Sequence, residues 1–170
     1  MFRLTASLLV FAALSAWAGA QGPAAGITAA ERLQMLRTNR MLIENMVDHG
    51  LDMAGADTPL KRAAECRRTA RTLANAVRQA GDEQNAGRVA ELCGHLDSVM
   101  RDALAPNLEL ATRDARPGSP DESELKKLRA TALTDFDELR GALPAGGTVG
   151  GDAKVKEAFG KLESLRDLLK

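Results

Sequence analysis

The sequence predicts an all-α protein: an up-and-down antiparallel bundle of four helices, with a fifth helix at the C-terminus. Three observations carry that expectation. Apolar residues recur at three- and four-residue steps through most of the chain beyond residue 28, the period of a helix packed on one side. Cap residues open these runs, and glycine or proline closes most of them. No alternating pattern of strand length interrupts them, and the links are short enough to favour antiparallel neighbours.

Residues 1–20 read as a secretory signal peptide. Arg3 supplies the positive start, Leu4 to Leu14 form an uncharged apolar core, and Ala18-Gly19-Ala20 fits the small-x-small cleavage rule. The apolar run is shorter than the ~20 residues a spanning helix needs, so cleavage after Ala20 is expected and membrane anchoring is not. No stable membrane insertion is expected after cleavage, and the expected location is periplasmic or secreted. Residues 21–27, rich in Gly, Pro and Ala, are expected to be disordered.

The helical bundle is placed over residues 28–143. Its first helix opens at Thr28-Ala29-Ala30-Glu31, a capping box, and runs to about Ala56. Leu33, Met35, Leu36, Leu42, Ile43, Met46, Val47, Leu51, Met53 and Ala54 cover nearly half its circumference, so it is expected to be the most buried helix. Asn39, in the middle of that face, is expected to be a buried polar residue that sets helix register.

The second helix starts at Thr58-Pro59 and stops near Gly81. Its narrow face of Ala63, Cys66, Ala70, Leu73, Ala74 and Val77 predicts close approach of a neighbour. The third begins near Asp82-Glu83 and carries Val89, Leu92, Cys93, Leu96, Val99, Met100 and Ala103. It is expected to continue, kinked, past Pro106 to about Arg113. Ser119-Pro120-Asp121-Glu122 opens the fourth, with Leu125, Leu128, Ala132, Phe136, Leu139 and Leu143 on one face. Residues 144–151 hold Gly146, Gly147, Gly150 and Gly151 and read as a flexible linker. Asp152 caps the C-terminal helix, 152–170, which is expected to be docked or partly mobile.

Composition narrows the function. Phe2, Phe11 and Trp17 leave with the signal, so the mature chain keeps Phe136 and Phe159 and has no tyrosine or tryptophan. Stacking on bases, sugars or quaternary amines needs aromatic faces, so such binding is not expected. The formal net charge of the whole chain is +0, which gives no bulk attraction to nucleic acid.

Antiparallel pairing about Gly81 brings Cys66 and Cys93 within about one helical turn, and an exported chain meets an oxidising compartment. A Cys66–Cys93 disulfide is therefore expected, worth about 3–4 kcal/mol if unstrained. The alternative is two free thiols used as small apolar filler. The second helix is basic, and Arg67, Arg71 and Arg78 share one flank beside its apolar face. They read either as partners for acids within the chain, such as Glu44, Asp48 and Asp52 or Asp135, Asp137 and Glu138, or as a docking flank for an acidic partner or an anionic envelope component.

No metal or cofactor is expected. Cys93 and His95 point about 200° apart on a helix, and no HExxH or CxxCH motif is present. Met35, Met46 and Met53, with His49 at their edge, suit core filling better than copper or haem ligation. Neither His49 nor His95 lies in a nucleophile motif and no phosphate-binding loop follows a strand, so no enzyme activity is expected.

The run Arg37-Thr38-Asn39-Arg40-Met41-Leu42-Ile43, then His49-Gly50-Leu51, then Asp57-Thr58-Pro59-Leu60-Lys61-Arg62-Ala63 with Cys66, resembles small exported helical proteins of planctomycete-type bacteria. The resemblance covers about residues 33–110 and implies an envelope setting and a helical fold, with no activity to carry over. The expected function is protein–protein contact in the bacterial envelope, through the basic flank of the second helix or through the C-terminal helix. The alternative is a small-ligand or metal-binding periplasmic bundle built on the first helix.

Overall fold

The computed structural model describes residues 28–143 and 146–169. The expected signal peptide and the segment 21–27 lie outside the described residues, as do the side chains of Met35 and Leu36. The fold is all-α, and no strand occurs among the described residues. The chain divides into two units, one ending at Asn39 and one spanning Arg40–Lys170. In the first, the described residues are the opening turns of α1 (Ala29–Gly55). The second holds the rest of α1 and every other element.

Helix α2 (Pro59–Asp82) starts where its sequence says it should: Thr58 Oγ1 accepts the Lys61 amide at 3.2 Å, and Pro59 occupies the first turn. All six residues of the expected apolar face are buried, together with Ala80 and Gly81. Small side chains there let α3 (Ala86–Ser98), α4 (Ala105–Asp114) and α5 (Pro120–Ala142) all pack against this one helix. These pairings are compatible with the expected up-and-down arrangement. The turn to α3 is longer than expected, because α2 runs on to Asp82 and α3 opens only at Ala86. Gln84 takes φ +55°, its side chain donates to the Gly81 carbonyl, and Asn85 caps the next helix by accepting the Arg88 amide.

Pro106 does not end the third helix, as expected. Residues Val99–Leu104 widen into a π-helical stretch, and the Ala105 amide reaches back five residues to the Met100 carbonyl. The wider turn leads into α4 with proline in its opening turn, where the ring and the missing amide are tolerated. Helix α5 opens on a double cap: Ser119 Oγ accepts the Glu122 amide at 3.2 Å, and Glu122 Oε2 accepts the Gly118 amide at 2.6 Å.

One expectation fails at the C-terminal end, and one alternative is decided. Residues Gly147–Gly150, expected as a flexible linker, form a helical turn, α6, that sets Val149 fully in the core. A Cβ at Gly151 would stand 2.7 Å from the Gly147 carbonyl oxygen, so glycine is needed to close that turn. Helix α7 (Ala153–Ser164), capped by Asp152, then packs along α3. With the 3₁₀ turn Arg166–Leu169 it buries Val155, Leu162, Leu165 and Leu169 in the common core. The C-terminal helix is docked, and its apolar stripe is spent inside the protein.

The largest departure is α1. It was expected to be the most buried helix, yet none of its described residues is buried. From Arg40 onward, Leu42, Met46, His49 and Met53, at steps of four, three and four, face the bundle. Ile43, Val47 and Leu51 lie beside them on the same arc and remain 47%, 56% and 67% exposed. The apolar arc is wider than the bundle surface that meets it, so one side is covered and the other is left open.

Candidate functional site

Two features stand out where α1 meets the bundle: an open apolar groove and a polar cluster. The groove, about 350 Å³, is floored by Leu42, Ile43, Met46 and Val47 of α1 with Leu73 of α2 and Leu92 of α3. Arg88 and His95 of α3 form its basic rim, and both lean on Glu91, at 2.7 Å and 3.9 Å. Ile43 and Val47, at the open edge of the groove, continue into Gly50 and Ala54 at steps of four, three and four along the exposed side of α1. Nothing lies within 4 Å of where a Gly50 Cβ would sit. This second stripe has the spacing with which a helix receives another helix.

The polar cluster lies between α1 and α2. Ligand-capable atoms of His49, Asp52 and Glu65 all fall within 4.8 Å of one another. His49 Nε2 is 3.1 Å from Thr72 Oγ1, while its Nδ1 is buried without a hydrogen-bond partner. Arg68 Nη1 bridges the two acids, donating to Glu65 Oε2 at 2.9 Å and to Asp52 Oδ2 at 3.4 Å. In the sequence His49 stands beside the methionines of the first helix as the alternative metal set, whereas the structure sets it beside two carboxylates. Asp52 is three residues on from His49, one face of the same helix, and nothing local in the sequence points to Glu65 on another helix.

The expected Cys66–Cys93 disulfide is absent: both cysteines are free, buried thiols. The structure takes the alternative, apolar filler. Cys66 Sγ donates to Met53 Sδ at 3.5 Å, so this sulfur is turned toward α1. Burial pushes the Cys93 thiol up to about 11, and burial also raises that of Cys66.

Of the expected basic flank, two members are occupied within the fold. Arg67 Nε donates to Asp135 Oδ2 at 2.9 Å, and Arg78 pairs with Glu138 at 3.5 Å, so the internal-pairing reading describes both. Arg71 stays exposed, at the mouth of a small apolar cavity of about 20 Å³ lined also by Ala70, Ala74, Leu96 and Phe136. That space admits about one water and no larger ligand. Asn39, expected buried, is half-buried, and no polar or charged residue is buried among the described residues. The face expected to enclose it is partly open to solvent.

Compared with known proteins, the chain matches no family model, no curated protein and no solved structure.

Proposed function

We propose that this protein is an exported, non-catalytic helical bundle that acts through protein–protein contact in the bacterial envelope, and that the contact is a partner helix laid along the open side of α1. The observation that carries this reading is the exposed line of Ile43 and Val47 in the groove and Leu51 beyond it. Contiguous exposed apolar surface on a soluble domain marks an interaction site more often than isolated residues do. An amphipathic helix in a groove is recognised by apolar anchors at these spacings. Six apolar side chains line the groove, a composition suited to the apolar face of a helix.

The earlier candidates lose ground on the same grounds. The apolar stripe of the C-terminal helix is buried, and Arg67 and Arg78 are engaged with acids of α5. A photo-crosslinking residue placed at Val47, in the source organism, tests the proposal against the same probe at Lys127, an exposed position on α5. One defined protein captured at 47, absent at 127 and lost with Ile43→Asp, supports the reading. Equal capture at both positions, or capture that survives Ile43→Asp, sinks it.

The groove volume also favours a second reading, since about 350 Å³ falls at the low end of ordinary ligand pockets. A small apolar molecule retained in native mass spectra, and lost with Leu92→Ala, would mark that case.

A further inference from the structure

We propose that His49, Asp52 and Glu65 form a binding site for a late first-row divalent cation of the zinc type, which joins α1 to α2. The proposal is independent of the docking groove. It rests on three observations. One imidazole and two carboxylates come within 4.8 Å of one another from two different helices, a mixed N/O donor set that suits zinc and its neighbours. The imidazole is already oriented: Nε2 engages Thr72 Oγ1, which leaves the Nδ1 lone pair for a cation when the ring proton sits on Nε2. That Nδ1 is buried and has no hydrogen-bond partner, an arrangement that costs free energy unless something satisfies it.

Helix geometry explains the convergence. His49 and Asp52, three apart on α1, lie one above the other on one face. Glu65, Arg68 and Thr72 share the facing side of α2 at steps of three and four. Tetrahedral zinc sets its ligand atoms about 3.3 Å apart, so the three groups must draw inward. Asp52 is exposed and has rotamer freedom to do so. Three protein ligands leave the fourth position for water.

Arg68 is the competitor. Its guanidinium holds both carboxylates, and its side chain is more than half exposed, so it can swing out as a cation enters. The site therefore has two states, one closed by the guanidinium and one closed by the metal. In either state, opposite charge holds the acids of α1 and α2 together. Removing Arg68 must strengthen metal binding, the reverse of what loss of a structural ion pair alone would give.

The test is calorimetric titration of the chelator-treated full-length processed chain with zinc chloride, alongside thermal melts. One equivalent is expected to bind, and the melt to rise by roughly 5–10 °C at a hundredfold excess over Kd. His49→Ala and Asp52→Asn should each weaken binding at least tenfold, and Arg68→Ala should tighten it several-fold. Asp52 is exposed, so Asp52→Asn tests the site without risk to the fold. Cys66→Ser should leave uptake unchanged, which separates this site from the nearby sulfur pair. Absence of uptake by the wild type, uptake that survives His49→Ala and Asp52→Asn, or an Arg68→Ala variant that binds no better each overturns the proposal.

Discussion

Arg67 Nε donates to Asp135 Oδ2 at 2.9 Å, and both side chains are only about one-fifth exposed (20% and 19%). This pair ties α2 to α5 at the mouth of the small cavity. It differs in kind from the many i,i+4 pairs on the surface, such as Arg40–Glu44 and Lys161–Glu157, which solvent screens and which add little to stability. Removing one partner of a largely desolvated pair strands the other charge. Arg67→Ala should therefore cost about 2–3 kcal/mol and Arg71→Ala about zero. Urea unfolding of both variants, with Asp135→Asn to complete a cycle, checks the coupling.

The two thiols should be countable. Thiol titration in denaturant is expected to find both cysteines reduced in protein purified without reductant. The folded protein should react far more slowly, because both thiols are buried and held in the neutral form. A disulfide mass signature would contradict the geometry at Cys66.

The same burial has an alkaline consequence. The unfolded thiol ionises near 9, whereas Cys93 in the folded protein holds its proton to about 11. Between those values the folded state carries more protons than the unfolded one, so stability falls as pH rises. It is fully present below pH 9 and declines by about 2 kcal/mol toward pH 11, with Cys66 acting in the same direction. Cys93→Ala should remove most of this slope in melts taken from pH 8 to pH 11.

Docking of the C-terminal helix is an energetic statement. Leu162 is fully buried and Leu165 nearly so. Leu162→Ala should destabilise the whole protein by about 2–5 kcal/mol in one cooperative transition. If α7 were loosely attached, the main unfolding midpoint would stay in place.

Gly151→Ala addresses the turn that leads into that helix. The added Cβ meets the Gly147 carbonyl oxygen at 2.7 Å, a backbone atom that cannot swing away. A loss of about 1–3 kcal/mol is expected, with faster amide exchange around Val149. Gly160→Ala, with open space at the Cβ position, should be neutral or slightly stabilising.

Ile43→Asp and Val47→Asp should each cost no more than about 1 kcal/mol, because about half of each side chain is already exposed at the open edge of the groove. Denaturation midpoints check this directly. A large destabilisation of either variant would mean that this side of α1 is covered in the folded protein.

What the sequence determined by itself was local. Thr58, Ser119 and Asp152 cap their helices because a side-chain oxygen beside free amides acts within one turn of chain. The apolar faces of α2 and α5 are read almost residue for residue, since periodicity records which side of a helix meets a core. Tertiary structure decided what depends on how much neighbouring surface is available and on residues far apart in the chain. The apolar arc of α1 says that the helix wants cover, but it does not say that the bundle covers only the side of Leu42, Met46 and Met53. The spacing of Cys66 and Cys93 allows a bond, but the orientation of Cys66 toward Met53 depends on α1 lying across α2. The charges of Arg67 and Arg78 fit internal pairing or a docking flank equally in the sequence, and the position of α5, with Asp135 and Glu138 beside them, decides for pairing. Glu65 joins His49 and Asp52 only because two helices cross there, and a contact of that kind leaves no periodic trace in either segment.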